Sequence, residues 1–483
     1  MVLVVAALVL WAVYRQGARR GAAAATVASE PVRPGVSGTA ETAWSSPVPM
    51  VPSDSPISFL VALGEAMIDS GDPVTHVGTS LRRVALANGI EGAQIIVLPT
   101  ALIVSVPGTE AVQTEVASAG SARLRLDQID GVFQVVEAAE RGEIGPREGL
   151  SRLRLARAMA PAFSPLVRVL GYTVLTVGLA LLLRAGWSAV LIAGILGAAV
   201  GFLQLGATRV TPAYQVFLPV VCAFGVSVAV FLLARTSLDL GVFAPLAAPL
   251  VTFLPGSLLT TSVIELSTGQ MISGAGRLAA GAMQMVLLAL GIVAGAQLVG
   301  VPATSVDRVA SQPLGALAPW IGVAVFGVGV LLHHCARPAS LGWIVLVLYV
   351  AYSGQVVGGL FFGGVLSAFF GALLMTPVAM FAAAQKSGPP TLVSFLPAFW
   401  LLVPGALGLV GVTNFLVDDR VDGTASLVGA GATMIGIAFG VLLGLAAGTG
   451  LAAAAEGLSR RRLRDRPPAG AEARSGPRPS RQS

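Results

Sequence analysis

Between Phe253 and Gln297 an otherwise apolar stretch carries Ser257, Thr261, Glu265 and Thr268 at helical spacing, directly after a Pro255-Gly256 break. On a helix these positions stack along one face, lining up hydroxyls and one carboxylate. A carboxylate in such apolar company is costly against lipid and belongs against protein or water, where it can carry a proton or pair with an ammonium group. Reversible binding of a small polar solute is the chemistry these residues suit. Proline removes a backbone donor and glycine permits unusual angles, so the break offers backbone dipoles to that solute. The candidate substrate-binding set is Pro255, Gly256, Ser257, Thr260, Thr261, Ser262, Glu265 and Gln284, and Glu265 is also the candidate for proton coupling. Arg277 reads as substrate-facing or, more simply, as an interfacial anchor.

The pattern returns downstream without a gap. At one constant offset Pro404-Gly405 meets Pro255-Gly256, Leu407 meets Leu258, Val412 meets Val263, Gly423 meets Gly274, and Asn414 stands where Glu265 stood. Gly440-x-x-x-Gly444 likewise meets Gly291-x-x-x-Gly295, a spacing that lets membrane helices approach closely. An internal duplication follows, and it adds Pro404, Gly405 and Asn414 to the candidate set. The competing reading is that Pro and Gly are common in membrane helices, that Ser and Thr bond back to their own backbone, and that Glu265 simply lies at an interfacial end.

The elements that must position these residues are membrane helices. Hydrophobic residues make up 55% of the 483 and charged residues 11%, and the mean hydropathy is +0.82, which excludes an ordinary soluble enzyme. From Ser164 to Ala455 the apolar runs count to about ten spans at roughly twenty residues per crossing. Five per copy is an odd number, so the two copies run in opposite orientations. The expected fold is therefore a polytopic α-helical membrane protein, with about ten transmembrane helices as two five-helix inverted repeats, preceded by a small α/β cytoplasmic domain. The chain divides into a short apolar run with a Pro/Ala-rich linker (1–56), the soluble domain (57–160), the first repeat (161–301), the second repeat (316–455) and a basic disordered tail (456–483). Val2 to Val13 is too short to cross a bilayer comfortably and reads as a signal-like anchor, an interfacial helix or a truncated span. Arg152, Arg154, Arg157 and the cluster at Arg460, Arg461, Arg462, Arg464 and Arg466 lie on one side only if the span count is even. That side is the cytoplasm by the positive-inside rule, so the soluble domain and tail face in. The arginines need no nucleic-acid partner.

In the soluble region, Ile57 to Asp69 and Val74 to Asn88 read as helices separated by Gly71-Asp72-Pro73, and Ala93 to Val106 as two strands around Pro99-Thr100, with Arg123 to Ile129 as their pairing partner. Gly131 to Arg141 and Pro146 to Met159 read as helices. Glu65, Asp69, Asp72 and His76 could form a metal or hydrolytic centre. The simpler reading is a solvated helix face beside a proline turn, since nucleophile, base and orienting group are missing at any recognisable spacing. No catalytic residue, metal or cofactor is expected, and the chain reads as a transporter and not an enzyme. Cys222 and Cys335 read as small buried hydrophobes. His333 and His334 end a span, where they could titrate near neutral pH but interfacial solvation is expected. No P-loop is present, which argues against ATP-driven transport within this chain.

The soluble stretch ALGEAMIDSGDPVTHVGTSLRRVALANGI with GEIGPREGLSRL, then LPGSLLTTSVIELSTGQMISGAGRLAAGA and later LVPGALGLVGVTNFLVDD, resembles the bacterial threonine/serine exporter family over roughly residues 57 to 455. The resemblance implies a multi-pass exporter of small hydroxy amino acids in the cytoplasmic (inner) membrane, driven by the proton motive force. Its partners would be threonine or serine, protons and the lipid bilayer, and a homo-oligomer is compatible with it. In split relatives the two halves are separate subunits associated with dicarboxylate export, which keeps a dicarboxylate (succinate-like) exporter as the alternative. A membrane-anchored enzyme with a catalytic soluble domain is a second alternative. The N-terminal apolar run and linker are not expected of the family.

Overall fold

The computed structural model describes residues 55–108, 111–120, 122–207, 215, 217–236, 240–300, 314–402, 409, 413 and 420–464. The apolar run at 2–13, its linker, and Pro404, Gly405 and Asn414 lie outside the described residues.

The soluble domain opens with α1 (Pro56–Asp69), whose Ser55 cap accepts from the Ser58 N–H, and Gly71 at φ +86° turns the chain into α2 (Val74–Ala87). Strands β1 (Gln94–Leu98), β2 (Ala101–Val106) and β3 (Gln113–Ser118) form an antiparallel meander in that order, with Ala101 opposite both Leu98 and Ser118. Alternate residues Leu102, Val104 and Val106 of β2 turn inward against α1. The third strand is therefore not Arg123 to Ile129. That segment instead starts α3 (Leu126–Glu140), because the Gln128 side chain accepts from the Arg125 N–H and Asp127 pairs with Arg125, a helix-start arrangement. The true third strand is polar and largely exposed, so it carries little apolar alternation to announce it. Helix α4 (Pro146–Arg157) closes the domain, laying Gly149 against the Phe59 ring in a core that also holds Leu63, Leu81 and Leu153.

The apolar half follows as α5 (Pro165–Leu182), α6 (Trp187–Ala207), α7 (Leu218–Ala234), α8 (Phe243–Ala247) running into a 3-10 turn at Ala248–Phe253, α9 (Gly256–Ser267), α10 (Met271–Val299), α11 (Ala318–His333), α12 (Leu341–Phe362), α13 (Gly364–Ala383), α14 (Thr391–Leu402) and α15 (Arg420–Arg464). Among the described residues six helices are long and apolar enough to cross a membrane, and α8 with α9 makes a seventh that is bent by 61°. Helices α7, α11 and α14 are apolar but shorter. Helix α15 continues to Arg464, so the tail set to begin at 456 starts as helix, in keeping with its run of Ala, Leu and Arg.

Glycines decide how these helices meet. Helices α5 and α11 run antiparallel, with Gly178 on Phe326, Gly171 on Leu332 and His333, and Gly329 on Leu175. A Cβ on Gly291 of α10 would lie 2.7 Å from the Val220 carbonyl of α7, and one on Gly440 of α15 would lie 2.5 Å from the Phe369 carbonyl of α13. Four residues on, Gly295 faces Ser227 and Gly444 faces Thr376. Val220 and Ser227 stand to Phe369 and Thr376 at the same offset that relates the two glycine pairs, so one helix contact is made twice.

The soluble domain sits on one end of this bundle. The Leu126 N–H donates to the His334 carbonyl at 3.1 Å, and Arg337 pairs with Asp130 of α3. His333 is consequently buried, 5% exposed, with Nδ1 at 3.0 Å from the Arg168 carbonyl, and is not solvated at an interface as the sequence suggested.

Candidate functional site

The break in the bent helix is stabilised by three side chains from other helices. At Leu254 the backbone turns extended, so carbonyls just before it lose the next helical turn as donor. Tyr172 of α5 donates its hydroxyl to the Pro249 carbonyl at 2.8 Å and lies 2.9 Å from the Thr252 hydroxyl. Gln204 of α6 donates to that same Thr252 oxygen at 2.8 Å, and Gln284 of α10 donates to the Phe253 carbonyl at 2.6 Å. Gln284 was singled out from sequence; Tyr172, Gln204 and Thr252 were not. Their signal was present as lone hydrogen-bonding groups inside apolar spans, which need a partner there.

Past the break, Pro255 stands at the N-cap of α9 and Gly256 is buried at its first turn. Thr260 is fully buried, and its hydroxyl has no hydrogen-bond partner among the described residues. Thr261 is buried and Ser257 half-buried beside it. Ser262 bonds back to the Leu259 carbonyl at 2.6 Å and Thr268 to Ile264 at 2.9 Å, so for these two the local reading holds. A buried, unsatisfied hydroxyl costs roughly 1–3 kcal/mol unless something supplies its bond, and Thr260 carries that cost early in α9.

Glu265 is elsewhere. It lies ten residues beyond Pro255, about 15 Å along a helix, in the last turn of α9. Fully buried, it accepts from the Val74 N–H at 3.1 Å, and its other oxygen lies 3.2 Å from Arg277 Nε. That second contact is one of charge without hydrogen-bond alignment. Arg277 also donates to the Asp72 carbonyl at 3.2 Å. The carboxylate therefore sits beneath the N-terminus of α2, where the helix dipole favours negative charge. Helices α9 and α10, a hairpin turned at Gly269 (φ +82°), grip the loop Asp72–Val74 of the soluble domain. Arg277, read as an anchor, is the partner of Glu265; opposite charges flanking a glycine turn in apolar helices were the signal. The candidate set thus splits into a break cluster and a latch.

Among the described residues no group of three or more His, Cys, Asp or Glu side chains is placed to hold a metal ion. Asp69 is buried and not solvated, taking the Gly120 N–H at 2.8 Å and Arg157 at 2.5 Å, and Arg157 also reaches Glu65 at 3.1 Å. Asp72 lies 2.6 Å from His76 Nδ1 and raises the imidazole pKa above its ordinary 6.5, against the lowering effect of burial. Burial pushes the Asp130 carboxyl upward, and Arg337 opposes that. Cys222 and Cys335 are buried free thiols.

Residues 58–299 match a family model described as "Putative threonine/serine exporter". The match spans the soluble domain and α5 to α10, so it contains both the break cluster and the latch. No curated protein and no solved structure matches the chain.

Proposed function

The chain belongs to the threonine/serine exporter family, and from that premise we propose that it exports threonine or serine across the cytoplasmic membrane, driven by the proton motive force. The observation that carries this reading is the broken helix: Tyr172 and Gln284 hold its Pro249 and Phe253 carbonyls, and in the helix that follows the buried Thr260 hydroxyl has no hydrogen-bond partner among the described residues. A hydroxy amino acid brings a hydroxyl, an ammonium and a carboxylate. Ser257, Thr260, Thr261, Ser262 and Gln284, with the backbone at Pro255 and Gly256, offer donors and acceptors for all three.

The bundle on this reading crosses the membrane ten times, through the six long helices, the bent α8–α9 and the three shorter apolar helices. The twice-made glycine contact and the antiparallel α5 and α11 support two inverted repeats. By the same sequence offset, Pro404, Gly405 and Asn414 are the second copy's counterparts of Pro255, Gly256 and Glu265 in the proposed substrate-binding set. Arg277 and Arg337 stand at the end that bears the soluble domain, which favours the cytoplasm for that end.

Glu265 is the proton-coupling group in this scheme. Its protonation removes the negative partner of Arg277 and weakens its hold on the Val74 N–H. The loop Asp72–Val74 is then free to lift from the α9–α10 hairpin, which ties proton uptake to opening of the cytoplasmic end.

The test is efflux of preloaded labelled threonine from cells lacking their own exporter. Wild type should release threonine, a protonophore should stop it, and Gln284→Leu or Thr260→Val should lower it about tenfold at equal membrane abundance, the factor for roughly 1.4 kcal/mol. Retention of threonine by wild-type cells overturns the reading, and release of succinate in its place moves the substrate class to dicarboxylates.

A further inference from the structure

A cavity of about 720 Å³ opens between α2 and β1 of the soluble domain and the turn from α9 into α10. Its lining holds one formal charge, Arg82, and no acidic side chain. Arg83 next door pairs with Glu140, whereas Arg82 makes neither hydrogen bond nor ion pair among the described residues. Ser273 lines the cavity while only 2% exposed, and its hydroxyl makes no hydrogen bond among the described residues. Helix α10 begins there with no side-chain cap on Gln270, so its first N–H groups remain available. One unpaired guanidinium, one unpaired hydroxyl in a buried residue and an uncapped helix N-terminus form a receptor for an oxyanion.

The lining is also strongly apolar on one side. Met271 and Ile272 are 73% and 76% exposed at the first turn of a helix long and apolar enough to cross a membrane. Exposed side chains of that size at a membrane-facing helix end suit acyl chains, so the oxyanion that fits here belongs to an amphiphile.

We propose that this cavity binds the phosphate-bearing headgroup of an acidic phospholipid, held by Arg82, Ser273 and the first N–H groups of α10, with the acyl chains along Met271 and Ile272. Val74 lines the cavity and also bonds Glu265, so a bound lipid bridges the soluble domain and the hairpin it grips.

The test is native mass spectrometry of the full-length, delipidated protein titrated with phosphatidylglycerol, phosphatidylcholine or glycerol 3-phosphate. Wild type should retain phosphatidylglycerol in preference to phosphatidylcholine. Arg82→Gln should weaken phosphatidylglycerol about tenfold, the loss of one charge-assisted hydrogen bond, while Arg82→Lys and Ser273→Ala fall between. Arg82 is exposed, and Arg82→Lys keeps its charge, so a loss confined to Arg82→Gln reads out the site and not the fold. Equal retention of the two lipids, or undiminished phosphatidylglycerol on Arg82→Gln, overturns the proposal. Full competition by equimolar glycerol 3-phosphate overturns the lipid source and assigns the site to free phosphate esters.

Discussion

Replacing Glu265 with alanine separates the soluble domain from the hairpin beneath it. The carboxylate is fully buried and Arg277 is 8% exposed, so the substitution leaves a buried guanidinium without its counter-charge and the Val74 N–H without an acceptor. Removing one member of a buried pair costs about 3–5 kcal/mol. Taking the lower figure, the docking equilibrium shifts by roughly two powers of ten. Hydrogen–deuterium exchange on the purified protein reads this locally. Peptides covering Asp72 to Val77 should exchange about a hundredfold faster in Glu265→Ala, while peptides from α12 and α13 keep their wild-type rates. Adding Arg277→Met removes the stranded charge, so the double variant should cost less than the two single costs together. Unchanged exchange at Val74 in Glu265→Ala, or costs that simply add in the double variant, would refute the latch.

Tyr172→Phe strands the Pro249 carbonyl in the bent helix and should lower stability by about 1–3 kcal/mol, seen as a lower unfolding temperature in detergent with reduced threonine efflux. Gly291→Val and Gly440→Val place a Cβ 2.7 Å and 2.5 Å from the Val220 and Phe369 carbonyls, so both should abolish monodisperse protein on size-exclusion chromatography, whereas Gly429→Ala, with nothing within 4 Å, should not. His76 has its folded-state pKa raised by Asp72, so its contribution is fully present below the ordinary value of 6.5 and is lost as pH rises through the raised value. Thermal unfolding followed across that window should therefore show a drop in stability that His76→Gln abolishes; an identical pH profile in the variant would refute the pairing.

Some of this was legible in the sequence because it depends on periodicity and composition alone. The apolar spans, the Pro255-Gly256 break, the two strands either side of Pro99-Thr100 and the offset relating Gly291 to Gly440 are all local or repeated patterns, and each apolar run has to satisfy its backbone within itself. What touches what across long separations was not legible. Val74 and Glu265 lie 191 residues apart and Arg337 and Asp130 lie 207 apart, and no spacing rule links them. Tertiary structure thus moved Glu265 from the helix break to the seat of the soluble domain and gave Arg277 to it as partner. It buried Asp69 and His333, which sequence had left at the surface, and drew Tyr172 and Gln204 to the break. The physical reason is one of range: helix and strand patterns report each residue's own turn of backbone, whereas the partner of a buried charge or hydroxyl is decided by which distant helix packs against it.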